Sequence, residues 1–427
     1  MNVPPVVYLD SSDWSNLSSA VGDWPFADRD RWLQVRKRLL AAKAERKAEF
    51  RFSQAIVVEA YPLSAEHHLQ GLGRARTIAE FCGPLCLVES GALTRSEARQ
   101  LASGEAPPFP RDIAYRDDGG WHGNPDDLGV EMGAELLGDL NPMIRKLVCE
   151  ALPNSDERAR SAYVRQLINR DGKLTALGRI GLTDSSWQVV KSEAAAKLGI
   201  PPDFPGIDVI LKVIRSEVPP SEADKFMVSL LRNLPVLFAL DETRRQADGL
   251  FGWLRLAGRS ITEPMAEGRQ LLIAAVANLG LATAKRLAQE APALDVDRWR
   301  AKTRKHILAG IWEAEQKLPR RSRARGKAWW ELVDPSLPGA IPSLDACLAA
   351  TAGLLRRSIQ PSAQPRQPRE SDIGDMLHMS YLPYVDVFRC DGFGAGIAQE
   401  VIVAMGLATR VTRTIEEALA VIEPSQL

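Results

Sequence analysis

The chain has 427 residues, 45% of them apolar and 25% charged, and its Lys plus Arg equal its Asp plus Glu. That balance is ordinary for a soluble globular protein and leaves room for two to three domain-sized units. A net charge of zero excludes whole-molecule attraction to nucleic acid or to an anionic membrane, so any such attraction must be local.

The five cysteines (Cys82, Cys86, Cys149, Cys347, Cys390) are too few and too scattered for a disulfide framework. Cys82 and Cys86 form a C-x3-C pair without a second pair nearby, which leaves a structural zinc site or buried free thiols. The opening "MNVPPVVYLD" lacks the basic start of a signal peptide. The longest apolar stretch, "LLIAAVANLGLATA" from Leu271, is too short to span a bilayer and reads as a buried helix. The expected compartment is a reducing cytoplasm, with no membrane partner.

In chain order, "PPVVYLDSSDW" predicts a short buried strand over Val6–Leu9 that ends in Asp10, followed by Ser11, Ser12 and Asp13 as helix caps. "DRDRWLQVRKRLLAAKAERKAEF" predicts an amphipathic helix with Trp32, Val35, Leu39 and Leu40 on one face. Its other face is basic (Arg36, Lys37, Lys43, Arg46, Lys47), in the manner of an ordinary helix surface. "FRFSQAIVVEAYP" carries Glu59. Ser53 offers a helix start there, but "AIVV" suits a strand equally, and Pro62 limits any helix. A helix and a buried strand near Leu85–Val88 follow.

Texture changes after about Ser90. "PPFPRDIAYRDDGGWHGNPDDLG" reads as a loop and lacks the spacing of a calcium loop. From about Gly133 to Trp330 helical periodicity dominates. "SEADKFMVSLLRNLPVLFAL", "EGRQLLIAAVANLGLATAKRLAQ" and "DRWRAKTRKHILAGIWEAEQKL" are the clearest helices. The most basic run of the chain, Lys317 to Lys327, holds Arg320, Arg321, Arg323, Arg325 and Lys327 and precedes Trp329 and Trp330. Cations beside aromatics suit phosphate contact with base stacking; a solvated turn next to a buried Trp pair is the other reading. A helix over Ser343–Arg357 leads into the Pro/Gln linker "SIQPSAQPRQPRE". Strands and helices then return: helix in "DMLHMSYL", strand in "YVDVFRC", helix in "GFGAGIAQEVIVAMG", strand in "LATRVT", helix in "TIEEALAVIE". His67, His68 and His122 lack metal-ligand spacing and read as surface residues.

Two α/β pieces thus flank a helical middle, and the simplest architecture is one α/β domain interrupted by a helical insertion. Asp10 and Asp391 both follow predicted buried strands. In an open parallel sheet, ligands bind outside the carboxyl ends of strands near the topological switch point. If the two strands are neighbours, Asp10, Asp391, Asp375 and Glu59 gather at one edge. Two unit charges about 4 Å apart repel by roughly 4 kcal/mol at an effective dielectric near 20, so such acids must protonate or be neutralised. Hard oxygen donors select Mg²⁺ or Mn²⁺. The alternative is that each Asp is simply a helix cap or turn residue.

"SDIGDMLHMSYLPYVDVFRCDGF", Ser371 to Phe393, resembles the C-terminal signature of the PIN-like nuclease domains. "VVYLDSS" is similar to that family's first strand, and "FSQAIVVEAY" to the segment that delivers its Glu. The resemblance covers residues 5–92 and 343–425, and its specific part is the C-terminal block. It implies a doubly wound parallel sheet flanked by helices, with residues 1–92 and 343–427 as the two parts of the domain and 93–342 as a mainly helical insertion. It also implies a Mg²⁺- or Mn²⁺-dependent nuclease, RNA being the favoured substrate. By position, Asp10, Glu59, Asp375 and Asp391 take the catalytic, metal-binding roles, with Asp386, His378 and Ser11 behind them. Asp386 also reads as a structural cap, and His378 as a hydrogen-bonded core residue or a proton shuttle. Asp372 reads as the cap of the helix bearing Asp375. The insertion would position substrate or bind a regulator, such as an antitoxin. Rival readings are a structure-specific DNA nuclease, a catalytically silent RNA-binding or scaffold protein with this fold, and the toxin of a toxin–antitoxin pair.

Overall fold

The computed structural model describes residues 3–61, 65–122, 141–169, 174–181, 184–198, 202–204, 206–215, 217–219, 221–240, 278, 296–317, 328–332, 339–359 and 372–423. The chain divides into two compact units, Met1–Gly123 with Asp248–Leu427, and Asn124–Ala247.

The first unit is mixed α/β. Its chain runs β1 (Val6–Tyr8), α1 (Ser11–Val21), α2 (Arg29–Ala44), β2 (Glu49–Phe50), α3 (Gln54–Ala60), α4 (His68–Cys82), β3 (Cys86–Leu87), α5 (Ser90–Ala102) and β4 (Tyr115–Arg116). Helices over Val296–Lys317, Pro342–Ile359 and Asp372–His378 come next. A 3-10 turn over Met379–Tyr384 then leads to β5 (Val387–Arg389), a helix over Gly392–Met405, β6 (Arg410–Thr412) and a helix over Ile415–Ile422. Four strands form a parallel sheet in the order β2-β1-β5-β6. From β1 the chain moves outward to β2, and from β5 it moves outward the other way to β6. The order therefore reverses between β1 and β5, which makes that pair the switch point.

The strand residues explain this layering. Val6, Val7, Tyr8, Val387 and Phe388 are all buried, as continuous apolar runs must be when helices cover both faces of a parallel sheet. Tyr8 stacks on Phe388 with ring centroids 5.3 Å apart, and Phe81 meets Trp14 and Phe50 edge-on. α1 packs on α2, α3 and α4, while the Pro342–Ile359 helix packs on α5, the 3-10 turn and the helices over Val296–Lys317 and Gly392–Met405. The expected strand near Leu85–Val88 forms, but as β3, antiparallel to β4. It joins the sheet through one parallel bridge, Phe52 with Cys86. The segment expected as a loop thus contains β4 and a 3-10 turn over Arg111–Ala114. Cys82 and Cys86 are buried free thiols.

On the basic face of α2, Arg36 pairs with Glu80 and Lys43 Nζ donates to the Glu80 carbonyl at 2.6 Å; elsewhere on the helix Arg31 pairs with Glu416 and Arg38 with Glu423. Trp329 is buried against Trp312, whereas the basic run at 318–327, with Arg320, Arg321, Arg323, Arg325 and Lys327, lies outside the described residues. So do the Pro/Gln linker residues 360–370, Ser371 and nearly all of the apolar stretch from Leu271.

The second unit is helical in its described residues, from Asn141–Ala151 to Leu234–Leu240, with one isolated antiparallel bridge between Ile168 and Leu174. Ile144, Val190, Ile207 and Ile210 are among its core residues. Arg215 lies 4.2 Å from the ring centre of Trp187. No described helix is long and apolar enough to cross a membrane.

Candidate active site

β1 and β5 are parallel neighbours in the register Val7 with Val387 and Tyr8 with Phe388. Two residues past that register the chain leaves the sheet at Asp10 on one strand and at Cys390 on the other. Asp10 and Asp391 therefore emerge side by side at the carboxyl edge, at the switch point. Each also starts a helix. Asp391 Oδ1 accepts the Gly394 N–H at 2.6 Å, and Asp10 precedes α1, taking hydroxyls from Ser12 (2.9 Å) and Ser11 (3.4 Å).

Glu59 arrives on α3. The "AIVV" segment forms a helix rather than a strand because Ser53 caps it, its Oγ accepting the Ile56 N–H at 3.4 Å. The Glu59 carboxylate is threaded over Gly374: a Cβ there would stand 2.3 Å from Glu59 Oε1. With glycine there the carboxylate reaches this position without displacement, which places Glu59 against the helix that carries Asp375 and His378. Asp372 is the first residue of that helix and is buried.

His378 joins two sets of groups. Its Nε2 lies 3.1 Å from Glu59 Oε2, an ion-pair distance off the line of a hydrogen bond. Its Nδ1 meets the Tyr8 hydroxyl at 2.5 Å, and that hydroxyl meets Ser53 Oγ at 2.5 Å. Burial opposes a charged imidazolium, yet the facing Glu59, with Asp10 and Asp375, raises the His378 pKa above its ordinary value. Burial alone would raise Glu59; His378 and the Ser11 hydroxyl bring it below the usual range instead. The two directions agree on an imidazolium–carboxylate pair. Burial keeps Tyr8 a neutral phenol, so it accepts from Nδ1–H and donates to Ser53.

Asp375 shows what surrounds it. Burial, then the charge of Glu59, with Asp10 and Asp391 adding to it, pushes its carboxyl up to about 7, against the opposing pull of His378. The four acids expected at this site thus act on one another electrostatically.

Two further residues complete the edge. Arg389, the last residue of β5, places Nη1 3.1 Å from Asp10 Oδ2 and Nη2 2.9 Å from Asp13 Oδ1. Asp13 is fully buried, and its Oδ2 accepts the Asp10 N–H at 3.2 Å. Burial drives its carboxyl up to about 7 despite Arg389. By sequence Asp13 reads as a helix cap, and Arg389 carries no assigned role. The available signals were the Asp-x-x-Asp spacing at a helix start and a cation at the end of a buried strand, which requires an anion.

Asp386 lies elsewhere. Its Oδ2 accepts the Val6 N–H at 2.8 Å and its Oδ1 the Arg111 Nη1–H at 2.7 Å. It ties the amino ends of β1 and β5, roughly 13 Å along the strand from Asp10 at about 3.3 Å per residue. It serves as a cap there, and does not stand behind the carboxylates. Ser11, by contrast, sits between Asp10 and Glu59.

A hard divalent cation fits this donor set in chemistry and in charge, because the carboxylates at the edge outnumber the cations that face them. The arrangement is not a finished cage. Among the described residues, no group of three or more His, Cys, Asp or Glu is disposed to hold a metal ion. Asp10 is engaged by Arg389 and Glu59 by His378. No family model, curated protein or solved structure matches the chain.

Proposed function

We propose that the carboxyl edge of the sheet is the active site of a PIN-like, Mg²⁺- or Mn²⁺-dependent nuclease, with RNA as its favoured substrate. One observation carries the reading. Separate elements bring Asp10 and Asp391 side by side at the switch point and lay Glu59 across Gly374, on the helix that carries Asp375; burial first, and then the charge of Glu59 with Asp10 and Asp391, pushes Asp375 up to about 7. Uncompensated carboxylates are costly, and a fold that keeps them needs a partner for them.

Asp10, Asp375 and Asp391 would hold the cation directly, with Glu59 completing the set from the position that His378, Ser11 and Gly374 give it. When bound, the cation supplies positive charge for the attacking water and the departing oxygen of a phosphodiester. Within the chain, His378 holds Glu59, Tyr8 and Ser53 hold His378, and the short turns after β1 and β5 fix Asp10 and Asp391 on a rigid sheet edge.

The second reading is a PIN-like scaffold without chemistry. It is favoured by the pairing of Asp10 with Arg389, which neutralises one of the acids internally. Cleavage of single-stranded RNA, duplex DNA and flap DNA, with and without Mn²⁺, separates the readings. Mn²⁺-dependent cleavage that is lost in Asp10→Asn and in Asp391→Asn is the expected result. Asn still caps a helix, so both variants should fold. Cleavage unchanged by either variant, or none on any substrate, sinks the nuclease. Preference for flap DNA over RNA would move the substrate, not the site.

A further inference from the structure

Arg389 is seated poorly for a residue so enclosed. Its guanidinium spans two carboxylates, and its Nε is buried without a hydrogen-bond partner. On the Asp13 side, Nη2 lies 2.9 Å from Oδ1, yet Oδ1 receives no aligned hydrogen bond. An arginine facing one carboxylate ordinarily forms a fork, with two parallel N–H donors on two oxygens. Here the fork is split, because Asp10 draws one arm away.

Asp13 is the stronger anchor of the two. It is fully buried, and the Asp10 N–H holds its other oxygen. Asp10 lies at the mouth of the edge, half-buried and next to Asp391. If another cation takes Asp10, Arg389 can turn toward Asp13 and find a partner for Nε. The guanidinium stays charged across the working pH range, so the exchange needs no proton.

We propose that Arg389 is a built-in counter-ion that holds Asp10 until a divalent cation takes it, and then transfers to Asp13 alone. This rests on the metal-dependent reading above. Arg389 then sets the affinity of the site: every cation that binds must first displace an internal one. The same exchange lets the acid-rich edge exist without metal, since a buried anion left unpaired would be far more costly.

The test is calorimetric titration of Mn²⁺ alone into the full chain, as wild type, Arg389→Gln, Arg389→Lys and the double variant Arg389→Met with Asp13→Asn. The double variant removes both members of the buried pair, so no lone buried charge threatens folding. Arg389→Gln and the double variant are expected to bind Mn²⁺ at least about tenfold more tightly than wild type, a difference of roughly 1.4 kcal/mol. Arg389→Lys should fall between, because an ammonium cannot bridge two carboxylates as a fork does. Wild-type binding that the folded variants match or fall below overturns the inference and leaves the nuclease reading standing. Absence of Mn²⁺ binding in every variant, together with absence of cleavage, overturns both.

Discussion

Two acids of the first unit, the buried Glu97 and the half-buried Asp375, have the same raised carboxyl, each at about 7, for different reasons. Glu97, on α5, is fully buried. It accepts the Ser343 N–H at 2.9 Å and the Ser343 hydroxyl at 2.6 Å, and it takes the Tyr384 hydroxyl as well. Burial is the main cause that lifts it, the charge of Asp345 adds the least, and these donors pull it partly back. Asp375 is lifted by burial and then by three other carboxylates. A shifted pKa therefore does not identify a functional site. What separates the two is the company: hydrogen-bond donors on a staple between α5 and the Pro342–Ile359 helix, and like charges at the sheet edge. Asp345 belongs with Glu97. Its Oδ2 takes the Gly339 and Ile341 N–H groups and Arg304, at 2.8–3.1 Å.

If the distinction is right, removing a stapled acid harms the fold and removing a clustered one does not. Glu97→Ala should give the largest loss. It strands the Ser343 N–H and the Tyr384 hydroxyl in the core, while the Ser343 hydroxyl keeps Thr94 Oγ1 at 3.1 Å; at about 1–3 kcal/mol for a stranded group, a total near 3 kcal/mol is expected. Urea denaturation reads this directly. A loss under about 1 kcal/mol would dissolve the contrast between the two regions.

Gly374→Ala comes next and sharpens the other half. Its Cβ would collide with Glu59 Oε1, which His378 and Ser11 hold in place. The expected cost is about 1–3 kcal/mol of overpacking, together with weakened Mn²⁺ binding. Combining it with Glu59→Asp, which withdraws the carboxylate by one methylene, should restore stability and leave binding weak. Failure of the second change to restore stability would show that the collision lies elsewhere.

Tyr8→Phe is a smaller perturbation, because the phenol ring keeps its stacking on Phe388. It strips the partner from His378 Nδ1 and leaves Ser53 Oγ with the Ile56 N–H, which predicts about 1 kcal/mol of destabilisation. The His378 imidazole resonances observed by NMR should then titrate differently from those of wild type. An unchanged titration would mean that Tyr8 does not govern the His378–Glu59 pair.

Parts of this were legible in the sequence. Val6–Tyr8 and Val387–Arg389 stand out as apolar runs closed by acids, and a parallel sheet buried on both faces demands such runs. Asp10 and Asp391 follow from that pattern. Glu59 was half legible, since β-branched "AIVV" favours a strand and only the Ser53 cap decides for helix. The pairings of Arg389 with Asp10 and Asp13, and of Glu97 with Ser343, were not legible. They join residues 379, 376 and 246 positions apart, and no local period carries that information. Gly374 looked like any helical glycine until Glu59 lay across it.

Asp375→Asn is the finest test, because it predicts a gain. The amide has nearly the volume of the acid and cannot ionise, so the repulsion from Glu59, Asp10 and Asp391 disappears. The sign follows from linkage. A carboxyl raised from 3.8 to about 7 on folding binds its proton more tightly in the native state. Its contribution to stability is therefore complete below about pH 4 and fades as pH rises through 7. Below about pH 4 Asp375 holds its proton in the folded and the unfolded chain alike, so wild type and variant should have nearly equal stability there. At pH 8 the wild type carries the ionised, repelled carboxylate, and the variant should be more stable by up to about 1 kcal/mol. Saturating Mn²⁺ should reverse the order at pH 8, stabilising the wild type and not the variant. A variant less stable than wild type at both pH values would place Asp375 with Glu97 as a structural acid, and the sheet edge would lose its central carboxylate.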